Sequence, residues 1–185
     1  MSYAESAGLK AIPTGIAHGT VTVVTGDVAY EVTTLRRDVE TDGRRAVIAY
    51  AGDMVDDARR RDFTMNALYA RADGTVIDPL GGLPDLQARR VRFIEDPEQR
   101  IREDYLRILR YFRFLARYGQ AGPDPMALAA MAANLAGIDT LSAERMGHEM
   151  QRLLEVPDPA PAVATMALRP ETRRCLRRIP RHPVT

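Results

Sequence analysis

Strand vocabulary in this chain nearly vanishes after Gly82. Up to that point, runs rich in Val, Thr and Tyr alternate with glycine turns. Beyond it lies one short extended piece at Val91 to Ile94, and then only helical periodicity. The division predicts an α+β chain, with a small β-rich part first and an all-helical part behind it. At 185 residues there is enough chain to bury a core, as one ordinary domain or two small ones.

In the first part, Thr20 to Val24 and Val28 to Thr34 flank Thr25-Gly26-Asp27 and predict a hairpin, with Val28, Tyr30 and Val32 on one face and Glu31 and Thr33 on the other. The polar stretch from Arg36 to Arg45 predicts a mobile loop before a strand at Ala46 to Tyr50. A helix is expected from about Asp53 to Tyr69, then a short strand at Thr75 to Ile77 and a turn at Asp78-Pro79-Leu80-Gly81-Gly82.

In the second part, one long helix is expected over Asp96 to Tyr118, because Ile101, Tyr105, Ile108, Leu109, Phe112 and Leu115 fall in one arc at 100° per residue. Further helices are expected at about Pro125 to Ala136 and, after a Ser142 cap, at Ala143 to Glu155, with Met146, Met150, Leu153 and Leu154 on one side. A proline-rich break at Pro157 to Pro161 precedes a basic tail.

With 26 Lys and Arg against 25 Asp and Glu, no global positive field exists, so any polyanion site must be a local patch. The lone Cys175 cannot form an internal disulfide, and no secretory leader is legible at the start, which points to a reducing, cytoplasmic setting. No apolar run approaches the ~18 residues of a membrane helix, so no membrane partner is expected.

Two clusters carry chemistry. Opposite the apolar arc stand Arg100, Glu103, Asp104, Arg107 and Arg110, with Arg113 at the margin. A solvated helix face has the same composition, and Glu103 with Arg107 is an ordinary i,i+4 pair. Yet an acceptor and a planar donor three residues apart, backed by further cations, can also bind a base and its phosphates. Arg59 to Ala67 gathers three guanidiniums, the Asp62 carboxylate and the Asn66 amide in a second cluster. Asp78 and Asp85 are expected to be turn and helix-cap residues, and Glu31 is equally consistent with an ordinary surface position.

Taken in order, five segments resemble the class II tRNA nucleotidyltransferase and bacterial poly(A) polymerase family: Glu31-Val32-Thr33-Thr34-Leu35-Arg36, Arg60-Arg61-Asp62-Phe63-Thr64-Met65-Asn66-Ala67, Asp78 to Leu86, Glu103 to Phe114, and Leu141-Ser142-Ala143-Glu144-Arg145. The resemblance implies a partial nucleotidyltransferase head of mixed or antiparallel sheet with helices over residues 1–80. It further implies an all-helical neck over 83–155 and part of a body or tail over 156–185. The family's opening phosphate-binding turn and Asp-x-Asp are not found, so the chain is expected to be an internal fragment, inactive by itself.

The implied activity is template-independent addition of CTP and ATP to the 3′ end of tRNA, with Mg2+ as cofactor. Glu31 matches a catalytic, metal-binding carboxylate whose two companions are not in this sequence. Arg61, Arg110 and Arg113 match phosphate-binding positions, Asp62 a ribose contact, and Asn66 lies in the same motif. Asp104 and Arg107 match the pair that selects the base. The chemistry of that pair stands without the resemblance. Cytosine and adenine each present an amino donor beside a ring acceptor, which a carboxylate next to a guanidinium complements, whereas uracil and guanine present a carbonyl and an N–H. A poly(A) polymerase of the same family and a non-catalytic RNA-binding remnant are the alternatives.

Overall fold

The structure is a computed structural model that describes residues 2–16, 19–41, 46–50 and 52–168. A short helix α1 (Ser2–Ser6) leads into an antiparallel sheet of β1 (Lys10–Gly15), β2 (Thr20–Thr25) and β3 (Val28–Thr33), in that order. The expected hairpin forms, with Gly26 at φ 56° in its turn and Glu31 opposite Thr22. Its alternation is not matched by burial: Val28, Tyr30 and Val32 all remain about half exposed, at 50%, 52% and 51%.

The expected loop after Arg36 is corrected. Arg36–Thr41 is a strand, β4, paired antiparallel with β5 (Ala46–Tyr50). Polar composition suggested a loop, but backbone pairing in a ribbon does not need apolar side chains, and β propensity follows context. The rest of that expected loop, residues 42–45, lies outside the described residues.

Helix α2 (Met54–Arg59) is capped by Asp53, whose Oδ1 accepts the Val55 N–H at 3.0 Å. It stops at Arg59, well short of the expected Tyr69. The cause is Phe63, which adopts extended backbone (φ −121°, ψ 146°) and bridges Phe93. Two main-chain bonds fix the bridge: Thr64 N–H donates to the Arg92 carbonyl and Ile94 N–H to that of Asp62, both at 3.0 Å. Phe63 is thereby fully buried, 4.8 Å from the Phe114 ring and 5.0 Å from Phe93, and this burial outweighs continuing the helix. A single 3-10 turn (Thr64–Asn66) follows, then β6 (Tyr69–Ala70) paired with β7 (Val76–Ile77).

The expected turn at Asp78 closes through its carboxylate, which accepts the Gly82 N–H at 2.7 Å and the Leu83 N–H at 2.9 Å, with Gly81 at φ 69°. Gly82 packs so closely on the 3-10 turn that a Cβ there would lie 2.1 Å from the Thr64 carbonyl oxygen. Helix α3 (Leu83–Gln87) follows.

The long helix expected over Asp96 to Tyr118 is two helices, α4 (Pro97–Glu103) and α5 (Leu106–Tyr118). Between them Asp104 is extended (φ −156°, ψ 106°), and its Oδ1 accepts the Leu106 N–H at 3.1 Å. The aspartate offers the backbone a local alternative to the helical bond, and the helix breaks there. Next come α6 (Pro125–Ala133), a 3-10 stretch (Leu135–Thr140), α7 (Ala143–Leu154) behind the expected Ser142 cap, and α8 (Ala160–Leu168).

The main core lies among these helices and includes the whole expected arc except the half-buried Tyr105, with Tyr111 and Phe114 added. On α7, Met146, Met150 and Leu153 are buried as expected, while Leu154, at the edge of the stripe, is 58% exposed. The basic tail lies outside the described residues.

Candidate functional site

The C-terminal turn of α2 and the break between α4 and α5 face each other, and arginines join them. A helix end leaves carbonyls without intrahelical partners. Here the Arg59 carbonyl accepts from Arg100 Nη1 at 2.7 Å, and the Arg60 carbonyl from Arg107 Nη2 at 3.1 Å. Arg107 Nη1 also donates to the Arg100 carbonyl at 2.7 Å and to Glu103 Oε2 at 2.6 Å, while Arg100 pairs with the other Glu103 oxygen. The wedge is therefore no solvated surface: the Arg100 and Arg107 side chains are only 10% and 12% exposed.

Asp62 is the second junction. It is buried, its Oδ1 accepts the Phe63 N–H and Asn66 Nδ2, each at 3.0 Å, and its Oδ2 receives Arg110 Nε at 2.7 Å and Nη2 at 2.6 Å. This bidentate fork brings the two sequence clusters together. Behind it, Glu149 of α7 accepts from Arg113 Nε at 2.7 Å and lies 3.6 Å from Arg110 Nη1. Arg113 also lies over the Phe114 ring, 4.8 Å from its centroid.

Arg61 is held from the opposite side. Its Nε and Nη2 donate to Asp57 Oδ2 at 3.2 and 2.9 Å, its Nη1 donates to the Asn66 carbonyl at 3.2 Å, and its guanidinium lies 5.1 Å from the Tyr69 ring centroid. Asp57 also accepts from Tyr69 Oη, Arg60 Nε and the Arg36 N–H at 2.7, 2.8 and 3.1 Å. Burial would raise its carboxyl, but the bonds from Tyr69, Arg61, Arg60 and Arg36 prevail and hold it down at about 2. Tyr69 is pushed up to about 12 by burial and by its bond to Asp57.

Asp104 and Arg107, expected to act as a pair, share no described side-chain bond; the Arg107 N–H donates to the Asp104 carbonyl at 3.0 Å, and the carboxylate and guanidinium go elsewhere. Asp104 Oδ2 instead accepts from Arg145 Nη2 at 2.7 Å. Asp85 is corrected: it is no simple cap but a buried carboxylate that accepts from Thr64 Oγ1 at 2.7 Å and pairs with Arg90 and Arg92. Burial would raise its carboxyl, and these partners lower it instead.

Glu31 lies on β3, exposed, apart from these junctions. Among the described residues no three His, Cys, Asp or Glu side chains stand close enough to hold a metal ion, and Glu31 offers a single carboxylate, to which magnesium would have to add further carboxylates, waters or substrate phosphates. Also among the described residues, no helix is long and apolar enough to cross a membrane.

Sequence reasoning missed Asp57, Glu149 and the partner of Asp104. Glu149 had a signal: it falls inside the Met146, Met150 and Leu153 stripe, where a carboxylate demands a buried cation.

A family model described as the poly(A) polymerase head domain matches residues 4–92. The human protein named CCA tRNA nucleotidyltransferase 1, mitochondrial, is 44% identical over 153 residues, covering 81% of this chain and 35% of that protein. A CCA-adding enzyme of Lacticaseibacillus paracasei is 43% identical, over 76% of this chain and 36% of its own length. The crystal structure of the Bacillus stearothermophilus CCA-adding enzyme in complex with CTP superposes with a TM-score of 0.76 at 37% identity, covering 86% of this chain and 38% of that one. The chain thus spans little more than a third of the relatives it matches, and within that span it belongs to the tRNA nucleotidyltransferase and poly(A) polymerase family.

Proposed function

We propose that this chain is the nucleotide-selecting portion of a CCA-adding tRNA nucleotidyltransferase, acting on CTP, ATP and the 3′ end of tRNA. The observation that carries the proposal is the meeting of the two clusters, where Asp62 holds Arg110 and the Arg60 carbonyl holds Arg107. The parts assigned to sugar, phosphate and base are thereby fixed in one rigid place before a nucleotide arrives. Residues 1–80 are read as part of the head, 83–155 as the neck and 156–185 as part of a body or tail.

In this reading Arg107 is the donor half of a template surrogate. Three of its five N–H groups are spent on the Arg100 and Arg60 carbonyls and Glu103, which leaves two for N3 and O2 of cytosine or N1 of adenine. Asp104 keeps lone pairs for the amino group that both bases share. Arg61, Arg110 and Arg113 face the triphosphate, with Asp62 and Asn66 at the ribose. Glu31 is the carboxylate that this chain would offer to Mg2+. A cytoplasmic location accompanies the proposal.

The test is to incubate the natural gene product with Mg2+, tRNA lacking its terminal CCA, and each labelled nucleotide in turn. Two C residues followed by one A are expected. Long A tracts would mean a poly(A) polymerase, and no incorporation would mean a non-catalytic RNA-binding protein.

A further inference from the structure

Asp104 belongs to neither helix beside it. Its backbone is extended between α4 and α5, so no helical ladder fixes the direction of its carboxylate. Two described bonds do so: the Leu106 N–H on Oδ1 at 3.1 Å and Arg145 Nη2 on Oδ2 at 2.7 Å. The first is local, made to a residue two places along the chain. The second comes from the first turn of α7, forty-one residues along the chain, where the Arg145 N–H is itself capped by Ser142 Oγ at 3.3 Å. Arg145 lies in the fifth of the sequence segments, where only Ser142, the helix cap, has a part.

From this arrangement we infer that Arg145 is a positioning residue for base selection: it clamps the Asp104 carboxylate so that its remaining lone pairs point where an amino group of cytosine or adenine arrives. The inference rests on the proposed function and deepens it. A clamp is needed because the two halves of the surrogate have separate supports. The Arg107 guanidinium is fixed by Glu103 and by the Arg100 and Arg60 carbonyls, whereas the Asp104 carboxylate has no described bond to any of these, and the one bond between the two residues is main-chain. A carboxylate free to rotate would still attract a cation, but it would lose the fixed geometry that makes a carbonyl oxygen in its place repulsive.

Burial separates this role from a structural one. The Arg145 and Asp104 side chains are 44% and 30% exposed, and ion pairs in such contact with water add little to stability. Removing Arg145 should therefore spare the fold while relaxing discrimination.

The experiment compares the natural gene product with its R145A, R145K and D104A variants. It measures kcat/KM for CTP and for UTP on tRNA lacking CCA, with thermal unfolding alongside. R145A is expected to lower the CTP to UTP ratio about tenfold, the effect of one lost directional contact, with an almost unchanged melting temperature. R145K, which returns the charge without the planar fork, should recover part of the ratio. Should R145A fail to fold, R145Q carries the same expectation. A ratio kept at the wild-type value in R145A or R145Q, while D104A loses it, would overturn the inference and leave the functional reading standing. Failure of the wild type to add C, or an unchanged ratio in D104A, would overturn the reading of this site and the inference with it.

Discussion

Asp62 and Glu149 are buried carboxylates whose cations come from one helix, so a substitution of Arg110 tests its proposed contact with phosphate and its ion pairs at once. Arg110→Ala should weaken all four nucleoside triphosphates alike if the guanidinium meets phosphate, yet it also strands Asp62 without its ion pair. Breaking a buried pair by removing one partner costs about 3–5 kcal/mol. Urea unfolding of R110A should show a loss of that order, and the double variant R110A/D62N should recover part of it. Full stability in R110A would mean that water replaces the fork. The residue types at this site were legible because arginine, carboxylate and amide crowd two short segments. Their partners were not, since Arg110 finds Asp62 across 48 residues and Arg145 finds Asp104 across 41. No local period records such distances.

At the scale of elements, helix periodicity located the core face of α5 but not the break before it. A period of 3.6 continues smoothly through Asp104, and only the competition of its side chain for the Leu106 N–H stops the helix. The end of α2 was hidden for a similar reason, because the pull on Phe63 comes from Phe93 and Phe114, far along the chain. The hairpin of β2 and β3 was legible through its Gly26 turn, whose positive φ suits glycine. Gly82 is the corresponding point where the turn after β7 meets the 3-10 turn of Thr64–Asn66. A methyl there would collide with main chain, which cannot rotate away. Gly82→Ala is expected to cost about 1–3 kcal/mol or more and to lower nucleotide binding, since Asn66 sits on that turn and donates to Asp62. An unshifted melting curve for G82A would contradict the packing described.

For the molecule as a whole, acid should be the condition that takes it apart. Asp57, Asp78 and Asp85 all ionise more readily in the folded chain than in the unfolded one, Asp57 down at about 2. A lowered carboxyl pKa means that the unfolded chain binds more protons. The stability these groups give is thus complete above about pH 4 and is lost as pH falls toward 2. Thermal melts between pH 7 and 2 should be flat at first and fall steeply below about 4, and Asp57→Asn should flatten that fall. A melting temperature independent of pH across that window would remove these carboxylates from the account. The α+β division at Gly82 was legible throughout, whereas the interlock across it was not: Phe63 precedes the boundary and sits in the helical core. That interlock also bears on the rates of folding and unfolding. The fork between Asp62 and Arg110 closes a loop of 48 residues, and the pairings among the later helices close loops of similar size, 36 residues for Arg113 with Glu149 and 41 for Arg145 with Asp104. Loop length therefore sets no order between the fork and the helix packing, and a fork that closes last is expected to show itself in R110A as faster unfolding with an almost unchanged folding rate.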